Sequence, residues 1–154
     1  MSKVFSAHAV SVDGYISGRT RDGEEEFGRG LGDAPMLFDW YTDGDTPSRV
    51  FDGFKLSEPP EISKTQTLVT SGIEDAIAEA RAAAGDKDVA LMGGGLVTEA
   101  LKAGLVDELI LHQVPVLLGA GRSFFQDLPE HVHLRLLDVI PAPGVTHLHY
   151  EVVR

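Results

Sequence analysis

Three consecutive glycines, Gly93, Gly94 and Gly95, follow a short apolar run and precede a stretch with helical periodicity. Glycine has no side chain, so a ligand can approach the backbone closely, and the first N–H groups of the helix stay free to face an anion. This arrangement predicts a site for a phosphorylated cofactor. The pattern lacks the G-x-G-x-x-G spacing of dinucleotide-binding folds, so a tight strand-to-helix turn without a ligand is the structural alternative.

Asp13 is the other candidate for chemistry near a turn. The chain contains no cysteine, which excludes disulfides, thiolate zinc sites and covalent catalysis through sulfur. Asp13 stands directly before Gly14 in a turn signal at the end of an apolar run. Its carboxylate is a candidate to orient a polar group or to relay a proton, and its structural alternative is an ordinary turn residue.

Two His-x-His pairs occur near the C-terminus, His131 with His133 and His147 with His149. Each pair places two imidazoles on one face of an extended strand, which is a conceivable pair of metal ligands. A hairpin that turns over residues 141–144 brings positions 147 and 149 opposite positions near 138 and 136, so the two pairs do not meet. We therefore predict outward-facing polar residues on an edge strand and no metal site.

The charge balance limits the partners. The chain has 13 basic and 24 acidic residues, a formal net charge of -11, which repels nucleic acid and anionic membranes, so neither is expected to bind. No apolar run approaches the roughly eighteen residues of a membrane span, and no signal peptide is visible. A length of 154 residues suits one buried core, so a single cytoplasmic domain over residues 1–154 is expected.

The spacing of apolar residues predicts an α/β fold. Residues 4–12 have the composition of a strand, whereas residues 19–60 are rich in Gly, Asp, Glu and Pro and indicate a lid or binding loop. Alternating strands and helices follow, which predicts a mostly parallel sheet flanked by helices. These elements are a strand at 67–70, a helix from the capping box Ser71-Gly72-Ile73-Glu74 to Gly85, a strand at 89–92, a helix ending at Gly104 and a strand at 109–114.

The last twenty residues differ from the preceding pattern. Two extended runs, 134–140 and 145–153, are joined by Pro141-Ala142-Pro143-Gly144. They predict a C-terminal antiparallel hairpin at the edge of the sheet.

Two groups of motifs resemble the reductase domain of riboflavin biosynthesis and, more distantly, dihydrofolate reductase. The first is Ser11-Val12-Asp13-Gly14-Tyr15-Ile16, which is similar to the S-x-D-G element of that family's first strand. The second is the C-terminal half, with Leu91-Met92-Gly93-Gly94-Gly95-Leu96, Gly104-Leu105-Val106-Asp107-Glu108-Leu109 and Pro115-Val116-Leu117-Leu118-Gly119-Ala120-Gly121 in the family's order. The resemblance implies a dihydrofolate reductase-like fold, NADPH as cofactor, hydride transfer to a small heterocyclic or carbonyl substrate, and a homodimer.

The resemblance also implies positions for the cofactor. Ala9, Val10 and Ile16 border the nicotinamide through backbone and apolar contacts. The residues along the pyrophosphate are Gly93, Gly94, Gly95, Leu96, Val97 and Thr98.

Three residues are placed on the substrate side. By resemblance Asp13, the catalytic candidate, faces the substrate. Trp40, the only tryptophan, either covers the nicotinamide or substrate ring or anchors its loop to the core. Met92 stands where riboflavin-branch reductases commonly carry a glutamate that holds the substrate. An apolar residue there argues against the riboflavin intermediate, 5-amino-6-(5-phosphoribosylamino)uracil, as the substrate.

The chain also departs from the family in length. Several tens of residues that family members carry are absent between Pro59 and Pro60, including an arginine for the cofactor phosphates. The remaining cations, Arg19, Arg21, Arg49 and Arg122, are expected in loops. A non-catalytic nucleotide-binding or regulatory module of the same fold, or a flavin carrier that uses the same helix N-terminus, are the alternatives to a reductase.

Overall fold

The computed structural model describes residues 2–19, 31–42 and 67–154. Arg21, Arg49 and the junction of Pro59 with Pro60 lie outside these residues, as does most of the long connection. Three helices are described: α1 Asp39–Thr42, which follows the 3-10 turn Pro35–Phe38, α2 Ile73–Ala84 and α3 Gly94–Lys102. The strands are β1 Val4–Ser11, β2 Tyr15–Ser17, β3 Val89–Leu91, β4 Glu108–Val114, β5 Arg122–Ser123, β6 His133–Ala142 and β7 Val145–Val153.

Five of these strands form one mixed sheet in the order β3-β1-β4-β7-β6. β1 is parallel to both β3 and β4, whereas β7 is antiparallel to β4 and to β6. The expected α/β fold with a C-terminal antiparallel hairpin is therefore confirmed. Because parallel strands share a direction, the carboxyl ends of β1, β3 and β4 lie at one edge of the sheet, where ligands of such sheets commonly bind.

The main core lies between the sheet and the helices α2 and α3. Successive side chains of a strand point to opposite faces, so Val4 and Val10 of β1 share the helix-facing side. They pack in one buried cluster with Ile77 of α2, Val97 of α3 and Leu109 of β4. Each such side chain contributes about 1.5–3 kcal/mol when fully buried. In the described part of the chain, no helix is long and apolar enough to cross a membrane.

The opposite face of the sheet is covered at its carboxyl end by the segment Pro35–Thr42. Leu37 and Trp40 of this segment are 0% and 7% exposed, and they pack in a second cluster with Ala9 of β1. The Trp40 indole N–H donates to the carbonyl oxygen of Leu37 at 2.7 Å. Both the ring and the N–H of Trp40 are thus used inside the protein, which supports its interpretation as an anchor of the loop.

Two local predictions around α2 were wrong. Residues 67–70 form no strand, and the side chain of Leu68 is 89% exposed. A segment with strand propensity forms a strand only when a neighbouring strand supplies hydrogen bonds. Among the described strands, the edge strand β3 pairs with β1 alone, so residues 67–70 have no strand partner there. The predicted capping box is also absent, because Gly72 with a φ of 125° is the N-cap and no side chain caps the helix. The end of α2 at Gly85, with a φ of 62°, was predicted correctly.

The register of the C-terminal hairpin differs from the prediction. Ala142 pairs with Val145, so the turn is the dipeptide Pro143-Gly144, with a φ of 75° at Gly144, rather than residues 141–144. The shorter turn moves the pairing by two residues, and His147 and His149 lie opposite positions 140 and 138. Among the described residues, no group of three or more His, Asp or Glu side chains could hold a metal ion.

Candidate cofactor site at the glycine turn

Each of the three positions of the turn is glycine for a different structural reason. Gly93, the N-cap of α3, has a φ of 96°, which residues with side chains rarely adopt. A Cβ at Gly94 would lie 2.6 Å from the carbonyl oxygen of Phe124, so close packing excludes a side chain there. Gly95 has no positive φ, and its Cβ would approach only Gln126 Nε2, at 3.9 Å. The fold thus accounts for the first two glycines, whereas at Gly95 the missing side chain leaves open space.

The backbone of the turn offers donors for an anion. The first intrahelical bond of α3 joins the N–H of Val97 to the carbonyl oxygen of Gly93 at 3.1 Å. The N–H groups of Gly94, Gly95 and Leu96 therefore have no acceptor within the helix. They stand at the positive end of the helix dipole, where a phosphate is stabilised.

The last two residues predicted along the pyrophosphate are turned inward. The side chains of Val97 and Thr98 are 0% and 1% exposed. The Thr98 hydroxyl donates to the carbonyl oxygen of Gly94 at 2.9 Å, so it reinforces the first turn of the helix. Their side chains thus support the turn from inside, and the outward surface belongs to residues 93–96.

A small second sheet joins the first-strand motif to the glycine turn. β2 pairs antiparallel with β5, and directly after β5 the Phe124 N–H donates to the carbonyl oxygen of Gly14 at 2.9 Å. The Ile16 Cδ1 atom lies 3.3 Å from the position that a Cβ at Gly94 would take. Two motifs separated by about eighty residues in the sequence therefore meet through residues 122–124.

Asp13 holds two loops together. Its carboxylate accepts hydrogen bonds from the Ser11 hydroxyl at 2.6 Å, from the Leu118 N–H at 3.1 Å and from the Gly119 N–H at 2.7 Å. The bond from Ser11, with those from the two backbone N–H groups, lowers the pKa of Asp13 to about 2. The carboxylate is therefore ionised near neutral pH and accepts three hydrogen bonds within the protein, which favours a role in anchoring the loop over proton relay.

The other predicted site residues differ in how far a ligand can reach their side chains. Ala9 and Val10 are 5% and 3% exposed and point to opposite faces of the sheet, so a ligand can reach them mainly through the backbone. Met92, directly before the turn, is 80% exposed. Of the predicted cations, Arg19 and Arg122 are exposed, and the Arg19 Nη2 atom lies beside the loop at Gly119.

Two histidine arrangements were not predicted, and the prediction that His147 faces outward on an edge strand was wrong, because β7 lies between β4 and β6 and His147 is 2% exposed. His8 Nε2 lies 2.9 Å from the Gly93 backbone nitrogen. His112 and His147 lie opposite each other on β4 and β7, with their Nδ1 atoms 2.7 Å apart and Trp40 packed on both rings. The alternation of β1 could have placed His8 on the helix-facing side, but the β4–β7 register needed to pair the other two is visible only in three dimensions.

A sheet with this strand order, a glycine turn between β3 and α3, and helices against the parallel strands define the dihydrofolate reductase-like fold. Within that fold, the chain belongs to the family of the RibD C-terminal domain, whose model matches residues 33–148. It is thus a member of a reductase-like family.

Individual proteins share the fold or part of the sequence. A protein from Shewanella sp. PV-4, provisionally assigned to riboflavin biosynthesis, has a TM-score of 0.63 at 20% identity, with 100% of both chains covered. A pyrimidine reductase-like protein from Corynebacterium diphtheriae has a TM-score of 0.62 at 12% identity, with 99% of this chain and 92% of that chain covered. The protein YyaP of Bacillus subtilis (strain 168), itself uncharacterised, is 36% identical over 67 residues, which span 42% of this chain and 36% of YyaP.

Proposed function

We propose that this chain is a cytoplasmic NADPH-dependent reductase that transfers a hydride to a small heterocyclic or carbonyl substrate. The observation that carries the proposal is Gly95. Neither backbone conformation nor packing requires glycine there, yet the position faces open space beside three helix N–H groups without intrahelical acceptors. A diphosphate that approaches the backbone explains the missing side chain. Membership of the reductase-like family supports the same conclusion.

The residues of the chain supply binding and orientation. NADPH, when bound, supplies the hydride, so the protein needs no nucleophile of its own. The N–H groups of Gly94, Gly95 and Leu96 would hold the diphosphate at the helix N-terminus. Ile16 and the backbone of β1 would border the nicotinamide, and the loop fixed by Asp13 would limit the access of water. The exposed thioether of Met92 favours an apolar substrate edge over a charged one.

The proposal is tested by titrating the purified chain with NADPH and following the fluorescence of the reduced cofactor. A panel of heterocyclic and carbonyl acceptors is then screened for loss of reduced-cofactor absorbance. We expect saturable binding and oxidation with at least one acceptor. Binding without oxidation by any acceptor would instead support a non-catalytic nucleotide-binding module. Binding of flavin in place of NADPH would support a flavin carrier.

Replacing Gly95 by aspartate is expected to separate cofactor affinity from stability. A carboxylate in the first turn of α3 interacts favourably with the helix dipole, so the free energy of unfolding should stay level or rise by up to about 1 kcal/mol. The same carboxylate repels the diphosphate, so the dissociation constant for NADPH should increase at least about tenfold. Fluorescence titration and urea unfolding measure the two effects.

The matched control adds the same charge to another helix. Ala78 is exposed on α2, so Ala78→Asp changes the net charge equally without touching the glycine turn. We expect it to leave NADPH affinity unchanged. Equal affinities for wild type and Gly95→Asp would show that the diphosphate does not bind at this turn.

We also propose that the chain forms a homodimer through β6. Nearly all of this edge strand is exposed, and the exposed residues include Leu134, Leu136 and Val139. A bulge between Leu136 and Asp138 places Leu134 and Val139 on one face, and Arg135 and Asp138 on the other. A second β6, antiparallel and related by a twofold axis near position 136, would therefore pair leucine with valine and arginine with aspartate.

Replacing Leu136 by aspartate is expected to produce monomers. The side chain is 52% exposed in the single chain, so the substitution should be tolerated by the fold, whereas a charge at the twofold axis would face its own copy. Light scattering after size exclusion measures the mass. Leu68→Asp, at a position that is 89% exposed and distant from β6, is the control and should remain dimeric. A monomeric wild type would exclude this interface.

A further inference from the structure

The imidazole of His8 lies between β1 and the glycine turn. Its Nε2 atom is 2.9 Å from the backbone nitrogen of Gly93, and its Nδ1 atom is 2.9 Å from the hydroxyl oxygen of Ser6. The Gly93 N–H can only donate, so Nε2 must be the acceptor and must carry no proton. The proton of the neutral ring is then on Nδ1 and is donated to the Ser6 hydroxyl. The two contacts together select one tautomer.

We infer that His8 is a positioning residue for the glycine turn, because its neutral imidazole fixes the Gly93 peptide and makes the shape of the turn depend on the protonation of one side chain. Gly93 is the N-cap of α3 and has a φ of 96°. The orientation of its peptide decides where the following N–H groups point. The functional consequence rests on the proposed cofactor site, since those N–H groups would hold the diphosphate.

The surroundings of His8 favour the neutral ring. The described groups in contact with it are Ser6 on β1, the Gly93 peptide and the ring of Phe124 at a centroid distance of 4.7 Å. His112 on β4 lies on the other face of the sheet and interacts with His8 only electrostatically. Among the described residues no carboxylate contributes to its titration, and burial lowers the pKa of His8 below the usual value of 6.5. A protonated ring would place an N–H against the Gly93 N–H, so one of the two groups would have to move.

The first test uses the protein without cofactor. The backbone amide of Gly93 is followed by NMR from about pH 7.5 to about pH 4.5, the range around a lowered histidine pKa. We expect its chemical shift to titrate together with the ring protons of His8. In His8→Gln the side-chain amide oxygen can accept the same bond without titrating, so the Gly93 shift should become independent of pH. A Gly93 amide in wild type that does not follow His8 would overturn the inference.

The second test measures NADPH affinity at about pH 7.5, where His8 is neutral. His8→Phe keeps an aromatic ring but has no acceptor, so affinity should fall up to about tenfold, as expected for the loss of one hydrogen bond that orients the turn. His8→Gln should restore affinity to within about twofold of wild type. Glu79→Gln, which changes an exposed residue of α2 away from the glycine turn and from β6, should have no effect.

Ser6 provides a matched test of the tautomer. Ser6→Ala removes the acceptor of the Nδ1 proton, so the ring can move its proton to Nε2 and lose the Gly93 bond. We expect Ser6→Ala to weaken binding in wild type but not in the His8→Gln background, because glutamine has no tautomer to select. Equal effects in both backgrounds would show only a packing role for Ser6 and would overturn the tautomer argument.

The two proposals fail in distinguishable ways. If NADPH binds neither wild type nor variants while the Gly93 amide still follows His8, the cofactor assignment fails and the positioning role stands. If NADPH binds with the same affinity to wild type, His8→Phe and His8→Gln, the cofactor assignment stands and His8 does not position its site.

Discussion

Replacing Trp40 by alanine is expected to lower the free energy of unfolding by about 3–5 kcal/mol, the usual cost of deleting a buried aromatic ring. The side chain is 7% exposed and packs against the rings of His112 and His147 at centroid distances of 5.1 and 5.4 Å. Its removal leaves a cavity and detaches the segment Pro35–Thr42 from the sheet. Since a domain of this size is stable by only about 5–15 kcal/mol, the loss is a large part of the total.

Urea unfolding of the Trp40 variants is followed by circular dichroism, because Trp40 is the only tryptophan and its fluorescence disappears with it. Trp40→Phe keeps most of the packing but loses the hydrogen bond to Leu37, so it should cost about 1–2 kcal/mol. Leu68→Ala removes a large apolar side chain that is 89% exposed and should change stability by less than about 0.5 kcal/mol. A cost below about 1 kcal/mol for Trp40→Ala would contradict the packing of this segment on the sheet.

Acidification is expected to destabilise the protein through the buried histidine pair. Burial, with the neighbouring imidazoles of His147 and His8, lowers the pKa of His112 to about 4 from its usual 6.5. The unfolded chain therefore binds a proton at a pH where the folded chain does not. The stability that this group contributes is complete above about pH 6.5 and is lost as the pH falls towards about 4. The shift corresponds to about 3 kcal/mol.

The measurement is the free energy of unfolding in urea at a series of pH values between about 7.5 and about 4. The slope of this free energy against pH, the acid slope, gives the number of protons taken up on unfolding. His112→Asn retains a hydrogen-bonding group near the Nδ1 position but cannot be protonated, so we expect the acid slope to decrease by up to about one proton. Ala78→Asn, a non-ionisable change at an exposed position of α2, should leave the slope unchanged. An unchanged slope in His112→Asn would assign the acid sensitivity to other groups.

Trp40 and the histidine pair are coupled. The pair is 5% and 2% exposed largely because the indole covers both rings. Water that enters the space left in Trp40→Ala would hydrate the charged imidazole and bring the folded-state pKa of His112 closer to its usual value. The stability lost on acidification of that variant should therefore be smaller and should end at a higher pH than in wild type. The same segment therefore supports the sheet and keeps two imidazoles neutral.

The glycine turn shows how far local sequence reasoning reaches. The prediction of a strand came from an apolar run, that of a turn from three glycines, and that of a helix from the helical period that follows. β3 and α3 confirm the strand and the helix. The same reasoning assigned all three glycines to the binding of a phosphorylated cofactor. The structure separates them into an N-cap with a positive φ, a close contact with Phe124 and an open position. Only the last one indicates a ligand, and its neighbours come from a segment about thirty residues away in the sequence.

The strand at 67–70 failed for a related reason. Its residues have the local preference, but a strand also needs a partner, and none of the described strands pairs with it. The hairpin at the C-terminus was predicted because both of its strands are adjacent in the chain. Its register was wrong by two residues because Pro141 and Ala142 pair with Thr146 and Val145 as part of the strand, which leaves Pro143-Gly144 alone as the turn.

The sequence by itself determined the class of fold, the glycine turn and the two motifs of the family, because these follow from periodicity and from short stretches of adjacent residues. Tertiary structure alone decided which groups meet: His8 with Gly93, Asp13 with the loop at Gly119, and His112 with His147 under Trp40. Such contacts depend on the pairing of strands distant in the sequence, and no local preference specifies that pairing. The sequence shows which side chains can accept or donate protons. Their protonation states depend on the neighbouring groups, which only the fold determines.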